Sequence, residues 1–379
     1  MHRFGSSSPA PPSTTGTIRS NRPAVVPRTP SSTAAATPRS ARCGRSIRCT
    51  RRRPPGAPRR NRVVRKAVGR DASLHWSFAM QVFVTGATGY VGSSVATAFR
   101  RAGHRVWGLT RTEAKARRLA QQEIEPVVGE LGDPKTYAEV AAECAVLVHA
   151  AFEYSANGVA KDKQAIDTLI EAGRRGARPK TLIFTSGAWV HGDTGDRMVD
   201  ETTPLNPIKL VAWRPAHEQL VLEASGVRGL VIRPGCVYGG PGGLTAPWFA
   251  DASAGKAPTV VGDGRSRWTM VHGDDLADAY VRAGESGLGG EVFDISDRSR
   301  ATALEMATAA ARAAGYRGEI RPVPLAEAAK TMGDFAAALA LSQHVDARKA
   351  VRLLGWQPRH GGFVDEADVY YRAWRAHQA

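Results

Sequence analysis

No apolar run in this 379-residue chain approaches the roughly 18 residues that a bilayer-spanning helix requires, so no helical membrane span is expected. Cysteine is scarce. The four present, Cys43, Cys49, Cys144 and Cys236, are too few and too scattered for a disulfide framework, and a reducing compartment with no structural metal is the default expectation. Acid is nearly missing from residues 1–79, where Asp71 stands alone against 16 Arg and one Lys, while the rest of the chain holds 35 basic and 34 acidic residues. The net charge of +17 is therefore a property of the tail. That tail also lacks apolar periodicity and is rich in Pro, Ser, Thr and Ala, so it cannot build a core and reads as a disordered basic extension. It lacks aromatics interleaved among Arg51, Arg52, Arg53, Arg59 and Arg60, which leaves nonspecific phosphate attraction and no specific nucleic-acid partner. Its Arg- and Ser-rich composition fits an organelle transit peptide, implying chloroplast or mitochondrion. The rival reading is a mis-called extension of a cytoplasmic protein, since Met80 directly precedes the first strand as a start codon would.

What the body contains is an alternation of short β-branched runs with amphipathic segments, the pattern of parallel strands joined by crossover helices. Strands are expected at Gln81–Thr85, Arg105–Thr110, Pro126–Gly129, Ala145–His149, Thr181–Thr185 and Gly229–Ile232. Between them, Val91, Val95, Phe99 and Ala102 recur at helical spacing, and Asp133-Pro134 reads as a helix start. After Gly240 the pattern changes to Gly- and Pro-rich loops, a short strand at Trp268–Val271, and Ala-rich helices over 303–314 and 325–341. The expected fold is α/β, a Rossmann-type doubly wound parallel sheet in residues 80–240 with a smaller C-terminal α/β lobe, 241–379, mainly for substrate. Trp248, Phe249 and Trp268 could line that lobe or form its core.

The first strand runs into Thr85-Gly86-Ala87-Thr88-Gly89-Tyr90-Val91-Gly92 and then a helix, the context that a pyrophosphate loop requires. Gly86 permits the tight turn, Gly89 lets backbone amides approach the phosphates, and Gly92 allows close helix–strand packing. The helix N-terminus then faces the negative charge. At the end of the second strand, where an acid would bind the ribose 2′-hydroxyl of NAD, the chain has Arg111. A guanidinium suits a 2′-phosphate, so NADP is expected ahead of NAD. The plainer alternative is that Arg111 is solvated and that Thr112 and Glu113 cap the next helix.

These motifs resemble the extended and atypical short-chain dehydrogenase/reductase superfamily, the NAD-dependent epimerase/dehydratase-like proteins, over nearly all of residues 81–379. The resemblance rests on the glycine loop, Glu130-Leu131, His149-Ala150-Ala151, Thr185-Ser186-Gly187, Arg233-Pro234-Gly235, Val237-Tyr238-Gly239, Val271-His272-Gly273-Asp274-Asp275 and Leu353-Leu354-Gly355-Trp356-Gln357-Pro358. It implies adenine contacts at Glu130 and Leu131, and cofactor contacts at Thr88, Tyr90, Val91, Ala150, Ala151 and Pro234. It implies a catalytic Tyr-x-x-x-Lys pair as well, and here the sequence departs. No Tyr is followed four residues later by Lys. Aligning His217-Glu218-Gln219-Leu220 places Leu210 at the Tyr position and Arg214 at the Lys position, and an alternative register uses Trp213 and His217.

A guanidinium does not release its proton near neutral pH. The substitute acid is sought at Ser186 through a water, at His191, His217, Tyr154 or Tyr238, with Ser186 and Arg214 as the leading site residues. Gly187 occupies the place that some members use for the hydroxyl. The leading expectation is an NADP-dependent oxidoreductase that acts on a carbonyl or alcohol of a small organic substrate. The alternatives are a non-catalytic NADP-binding redox sensor or scaffold and a nucleotide-sugar epimerase or dehydratase. Substrate identity and oligomeric state stay open.

Overall fold

The computed structural model describes residues 79–378, and the transit-peptide and start-site readings of the basic extension lie outside the described residues. Strands and helices alternate through β1 (Gln81–Thr85), α1 (Tyr90–Arg101), β2 (Arg105–Thr110), α2 (Glu113–Gln121), β3 (Glu125–Val128), α3 (Ala138–Glu143), β4 (Val146–His149), α4 (Gly158–Arg174) and β5 (Lys180–Thr185). Then follow β6 (Met198–Val199), α5 (Arg214–Leu222), β7 (Val227–Pro234), β8 (Cys236–Tyr238), α6 (Ala246–Ser253), β9 (Thr259–Val261) and β10 (Met270–His272). The chain ends with α7 (Gly273–Glu285), β11 (Glu291–Ile295), α8 (Ala303–Ala313), β12 (Arg321–Val323), α9 (Leu325–Met332), α10 (Asp334–Ala340), β13 (His344–Val345), α11 (Arg348–Leu354) and α12 (Ala367–Ala376).

Seven parallel strands make the main sheet in the order β3-β2-β1-β4-β5-β7-β11. The order reverses between β1 and β4, the switch point at which doubly wound sheets leave a crevice for a ligand. Side chains alternate across the sheet. Val82 and Val84 join Val146, Val148, Ile183, Leu230 and Ile232 on the face covered by α1, α7 and α11. Phe83, Leu147, Leu182, Phe184 and Val231 form the opposite face with α3, α4 and α5. Burial on both faces is why these strands read as nearly continuous apolar runs.

The six strands expected from sequence are all present, but the seventh, β11, was not anticipated. Its Glu291 and Asp294 interrupt the apolar run, and Asp294 is buried because His191 reaches it from another loop, with Nε2 at 3.0 Å from both carboxylate oxygens. The strand therefore returns from beyond Gly240 to pair with β7. The helix expected over 325–341 is broken at Gly333, whose φ of +57° separates α9 from α10. The strand expected at Trp268–Val271 lies at Met270–His272. Asp133 makes no side-chain cap, and Pro134 opens a single 3-10 turn ahead of α3. Trp248, Phe249 and Trp268 are core: the two indoles stack at 5.2 Å, and their N–H groups donate to the carbonyls of Thr259 and Leu339.

Candidate nucleotide and catalytic site

The glycine loop owes its shape to backbone contacts that no side chain could share. Gly86 has φ +71°, and a Cβ there would lie 2.7 Å from the Ala150 carbonyl oxygen and 2.9 Å from Ala151 Cα. A Cβ on Gly92 would lie 2.1 Å from the Gly86 oxygen. The loop is thus pressed against the exit of β4, where the Ala150 N–H donates to Thr85 Oγ1 at 3.2 Å. Gly89 donates to the Gly86 carbonyl at 2.8 Å, and no side chain caps α1 behind it. First-turn amides of a helix have no intrahelical acceptor, so those of Tyr90, Val91 and Gly92 are available to an anion. Thr88 beside them is half-buried.

Tyr90 has a second task. Its hydroxyl donates to the Gly239 carbonyl at 2.7 Å, and Gly243 lies so close that a Cβ there would be 3.0 Å from that oxygen. Burial, with the charge of Asp274 adding to it, pushes the Tyr90 phenol far above its ordinary value, so it acts as a strut from the loop to the β8 exit and not as an acid.

At the far end of the crevice Arg111 is exposed just after β2, and Thr112 Oγ1 caps α2 by accepting from the Lys115 N–H at 3.3 Å. Glu130 is exposed, and Leu131 is buried with its carbonyl accepting from Tyr137 at 3.2 Å. Two residues that the sequence reading missed stand here. Lys161 pairs with Glu153 at 2.8 Å, and its stem lies over Gly132, 3.4 Å from where a Cβ would sit. Lys161, followed by a hydrogen bond from Ser155 and then the charge of Arg111, holds the Glu153 carboxyl below the ordinary range. The eight-residue separation of Glu153 and Lys161 across the start of α4 is the only sequence signal that could have found them.

Ser186 and Arg214 meet at the end of β5, where Arg214 bonds Thr185, and His217 lies against Trp213, whereas His191 and Tyr238 are engaged elsewhere. Ser186 is buried and its hydroxyl donates to Glu218. Glu218 is also held by Arg233, with Nη2 at 2.5 Å and Nε at 3.0 and 3.2 Å. His191 is locked on Asp294, and Tyr238 donates to the Gly361 carbonyl at 2.7 Å, with burial and then Asp297 driving its phenol far up. His217 Nδ1 lies 2.7 Å from Asp162, whose other oxygen lies 3.2 Å from His149 Nε2, and His149 in turn meets Thr85 Oγ1 at 2.7 Å. Burial pushes the Asp162 carboxyl up, but the two imidazoles outweigh it and leave it below the ordinary value. Tyr154, by contrast, is 89 % exposed. Pro234, the last residue of β7, is buried.

Leu210 lies in a 3-10 turn, Lys209–Val211, directly ahead of α5, and Arg214 is the first residue of that helix. Arg214 Nη1 donates to the Thr185 carbonyl at 2.9 Å, and its guanidinium lies 4.8 Å from the Trp213 ring centre and 5.9 Å from that of Phe152. Burial lowers its pKa. Tyr280 donates to Thr185 Oγ1 at 2.7 Å from the other side.

Two further places gather polar side chains. A cleft of about 380 Å³ near α11, lined by Asp297, Arg300, Gln343 and Arg348, contains none of the residues expected from sequence. His272, Asp274 and His360 bring possible ligand atoms within 4.8 Å, but the imidazoles stack at 3.6 Å and 19°, which keeps their lone pairs in near-parallel planes, and His272 Nδ1 already accepts from the Asp274 N–H at 3.1 Å.

Strand order and the crevice at the switch point define a Rossmann-type α/β protein. Residues 82–296 match the model of the NAD dependent epimerase/dehydratase family, and the chain belongs to that family, as its motifs implied. The chain is 30% identical, over 73% of its length and 87% of the relative's, to a 4-hydroxy-2-methyl-3-oxo-4-farnesyl-3,4-dihydroquinoline-1-oxide ketoreductase of Stigmatella aurantiaca. A UDP-glucose 4-epimerase of Mycolicibacterium smegmatis is 28% identical over 74% of this chain and 94% of that protein. The crystal structure of the human epimerase family protein SDR39U1 superposes with a TM-score of 0.64, covering 77% of this chain and 99% of that one at 20% identity. The family binds NAD(P), its members are mostly enzymes acting on small molecules, and no helix among the described residues is long and apolar enough to cross a membrane.

Proposed function

We propose that this chain is an NADP(H)-dependent oxidoreductase that acts on a carbonyl or alcohol of a small organic molecule. The observation that carries the reading is the loop from Gly86 to Gly92, where glycine is required by backbone approach and uncapped amides face the crevice. Those amides would hold the diphosphate, Arg111 the 2′-phosphate, and Glu130 and Leu131 the adenine. Thr88, Val91, Ala150, Ala151 and Pro234 would line the rest of the cofactor. The bound nicotinamide supplies hydride chemistry. Arg214 supplies fixed positive charge beside it, and Ser186 acts through Glu218 to position the end of β5. Residues 80–240 then form the nucleotide-binding part and 241–379 mainly the substrate part.

Among relatives, the name of the Stigmatella ketoreductase supports carbonyl reduction. The epimerase alternative is disfavoured by Leu210, because reversible sugar oxidation relies on a group that both takes and returns a proton. Leu210 also motivates the second reading, a redox sensor that binds NADP without turnover. The Arg- and Ser-rich composition of residues 1–79 supports a transit peptide, which mass analysis of the mature N-terminus tests.

Calorimetry of the full chain with NADPH and NADH tests the main reading. Arg111→Ala should weaken NADPH by about 10- to 100-fold, the value of a charge-assisted hydrogen bond, and NADH little. Equal losses would refute the 2′-phosphate assignment, and no heat with either nucleotide would refute cofactor binding itself.

A further inference from the structure

Two arginines stand below the strand ends in opposite circumstances. Arg233 is neutralised by Glu218, which also accepts from Ser186, although the buried Nη1 of Arg233 has no hydrogen-bond partner. Arg214 has no carboxylate within ion-pairing distance among the described residues, and one N–H, to the Thr185 carbonyl, accounts for its hydrogen bonds. Its guanidinium lies against the Trp213 ring, and burial disfavours its charge more than the nearby charges, Asp162 foremost and Glu218 among them, favour it. A half-buried cation with free N–H donors is completed by an anion, and a guanidinium fork fits two oxygens or one delocalised one. The walls are flat. Phe152 stacks on Trp213 at 4.9 Å and 12°, Tyr154 meets Phe152 edge-on at 5.0 Å, and the turn ahead of Arg214 carries Leu210 at the position where the resemblance expected a phenol.

We infer that this site takes planar, conjugated carbonyl compounds, of the quinone or aryl-enone class, whose oxygen is or becomes a resonance-stabilised oxyanion held by Arg214. The inference deepens the oxidoreductase reading and rests on it. The balance of charge decides the class. With NADPH bound, a substrate carbon would receive its hydride, the donor C–H bond breaking as NADPH is oxidised to NADP; a substrate C–H bond forms, a π bond breaks, and the displaced pair ends on the carbonyl oxygen. With an isolated ketone that oxygen is an alkoxide, which needs a proton as it forms, and neither Leu210 nor a guanidinium can give one. With a conjugated acceptor the pair is delocalised, as in a phenolate, whose conjugate acid has a pKa of about 10. Fixed positive charge is then sufficient, and water supplies the proton afterwards.

The test uses the full chain and two readouts. The first is calorimetric binding of 2-hydroxy-1,4-naphthoquinone, a flat acid ionised at neutral pH, in the presence of NADP. Arg214→Met and Arg214→Gln should each weaken it tenfold or more, with far-UV circular dichroism and the urea unfolding midpoint of the variants reporting that they are folded. Undiminished binding in folded variants overturns the inference and leaves the oxidoreductase reading in place, whereas absence of any NADP binding by the wild type overturns both. The second readout is NADPH oxidation with menadione, trans-chalcone and acetophenone. The wild type should use the first two in preference to the third, and Leu210→Tyr should lower the ratio of menadione to acetophenone rates by about 100-fold. A wild type that reduces acetophenone as fast as menadione sinks the proposal.

Discussion

Replacing Glu201 by Gln should flatten the fall in stability that the wild type shows as pH rises towards 8. Glu201 lies between β6 and α5, and its carboxylate accepts the Asp294 N–H at 2.9 Å. Burial first, and then the negative charge of Asp294, raise its pKa from 4.5 to about 7. The native state therefore holds this proton more tightly than the unfolded chain does. Its stabilising effect is complete below the unfolded value of 4.5 and is lost as pH climbs through about 7. At about 1.4 kcal/mol per pH unit the full loss is about 3 kcal/mol. Glutamine keeps the acceptor oxygen and removes the titration. Urea unfolding at pH 5 and pH 8 reads the effect as a difference between wild type and variant, which removes the contribution of every other titrating group. The variant should exceed the wild type by about 2 to 3 kcal/mol at pH 8 relative to their difference at pH 5. A wild type and variant with parallel profiles would show that Glu201 is already ionised in the native protein.

Three other substitutions probe separate parts of the argument. Gly92→Ala places a Cβ 2.1 Å from the Gly86 oxygen, so nucleotide affinity by calorimetry should fall on the order of tenfold or more while far-UV circular dichroism stays native. Tyr90→Phe removes the 2.7 Å bond to the Gly239 carbonyl and should cost about 1 kcal/mol in urea unfolding. Phe99→Ala empties a fully buried position of α1 packed on the edge of Gly284 and should cost about 3 to 5 kcal/mol, with no change in which nucleotide is preferred.

The parts of this molecule legible in its sequence are those set by local backbone rules. The sheet strands showed as short apolar runs because both their faces are covered, and the glycine loop showed because Gly86 and Gly92 meet backbone that leaves no room for a side chain. What stayed hidden depends on partners remote along the chain. β11 looked too polar for a central sheet until His191 supplied the partner of Asp294, and a single long helix was expected where Gly333 turns the chain. Ser186 read as a free hydroxyl because Glu218 is 32 positions away. The spacing of Leu210 and Arg214 was legible, but not that Arg214 would be left without a carboxylate while Arg233 acquired one.

The late return of β11 bears on how the chain is made. Until a ribosome has synthesised as far as Ile295, strand β7 presents an unpaired row of amides and carbonyls along Val227–Pro234. Such an open edge is a template for pairing with another nascent chain. Release of a message truncated after Gly240 should therefore yield aggregates, and the complete protein should place its greatest demand on chaperones in the interval between the emergence of those two strands.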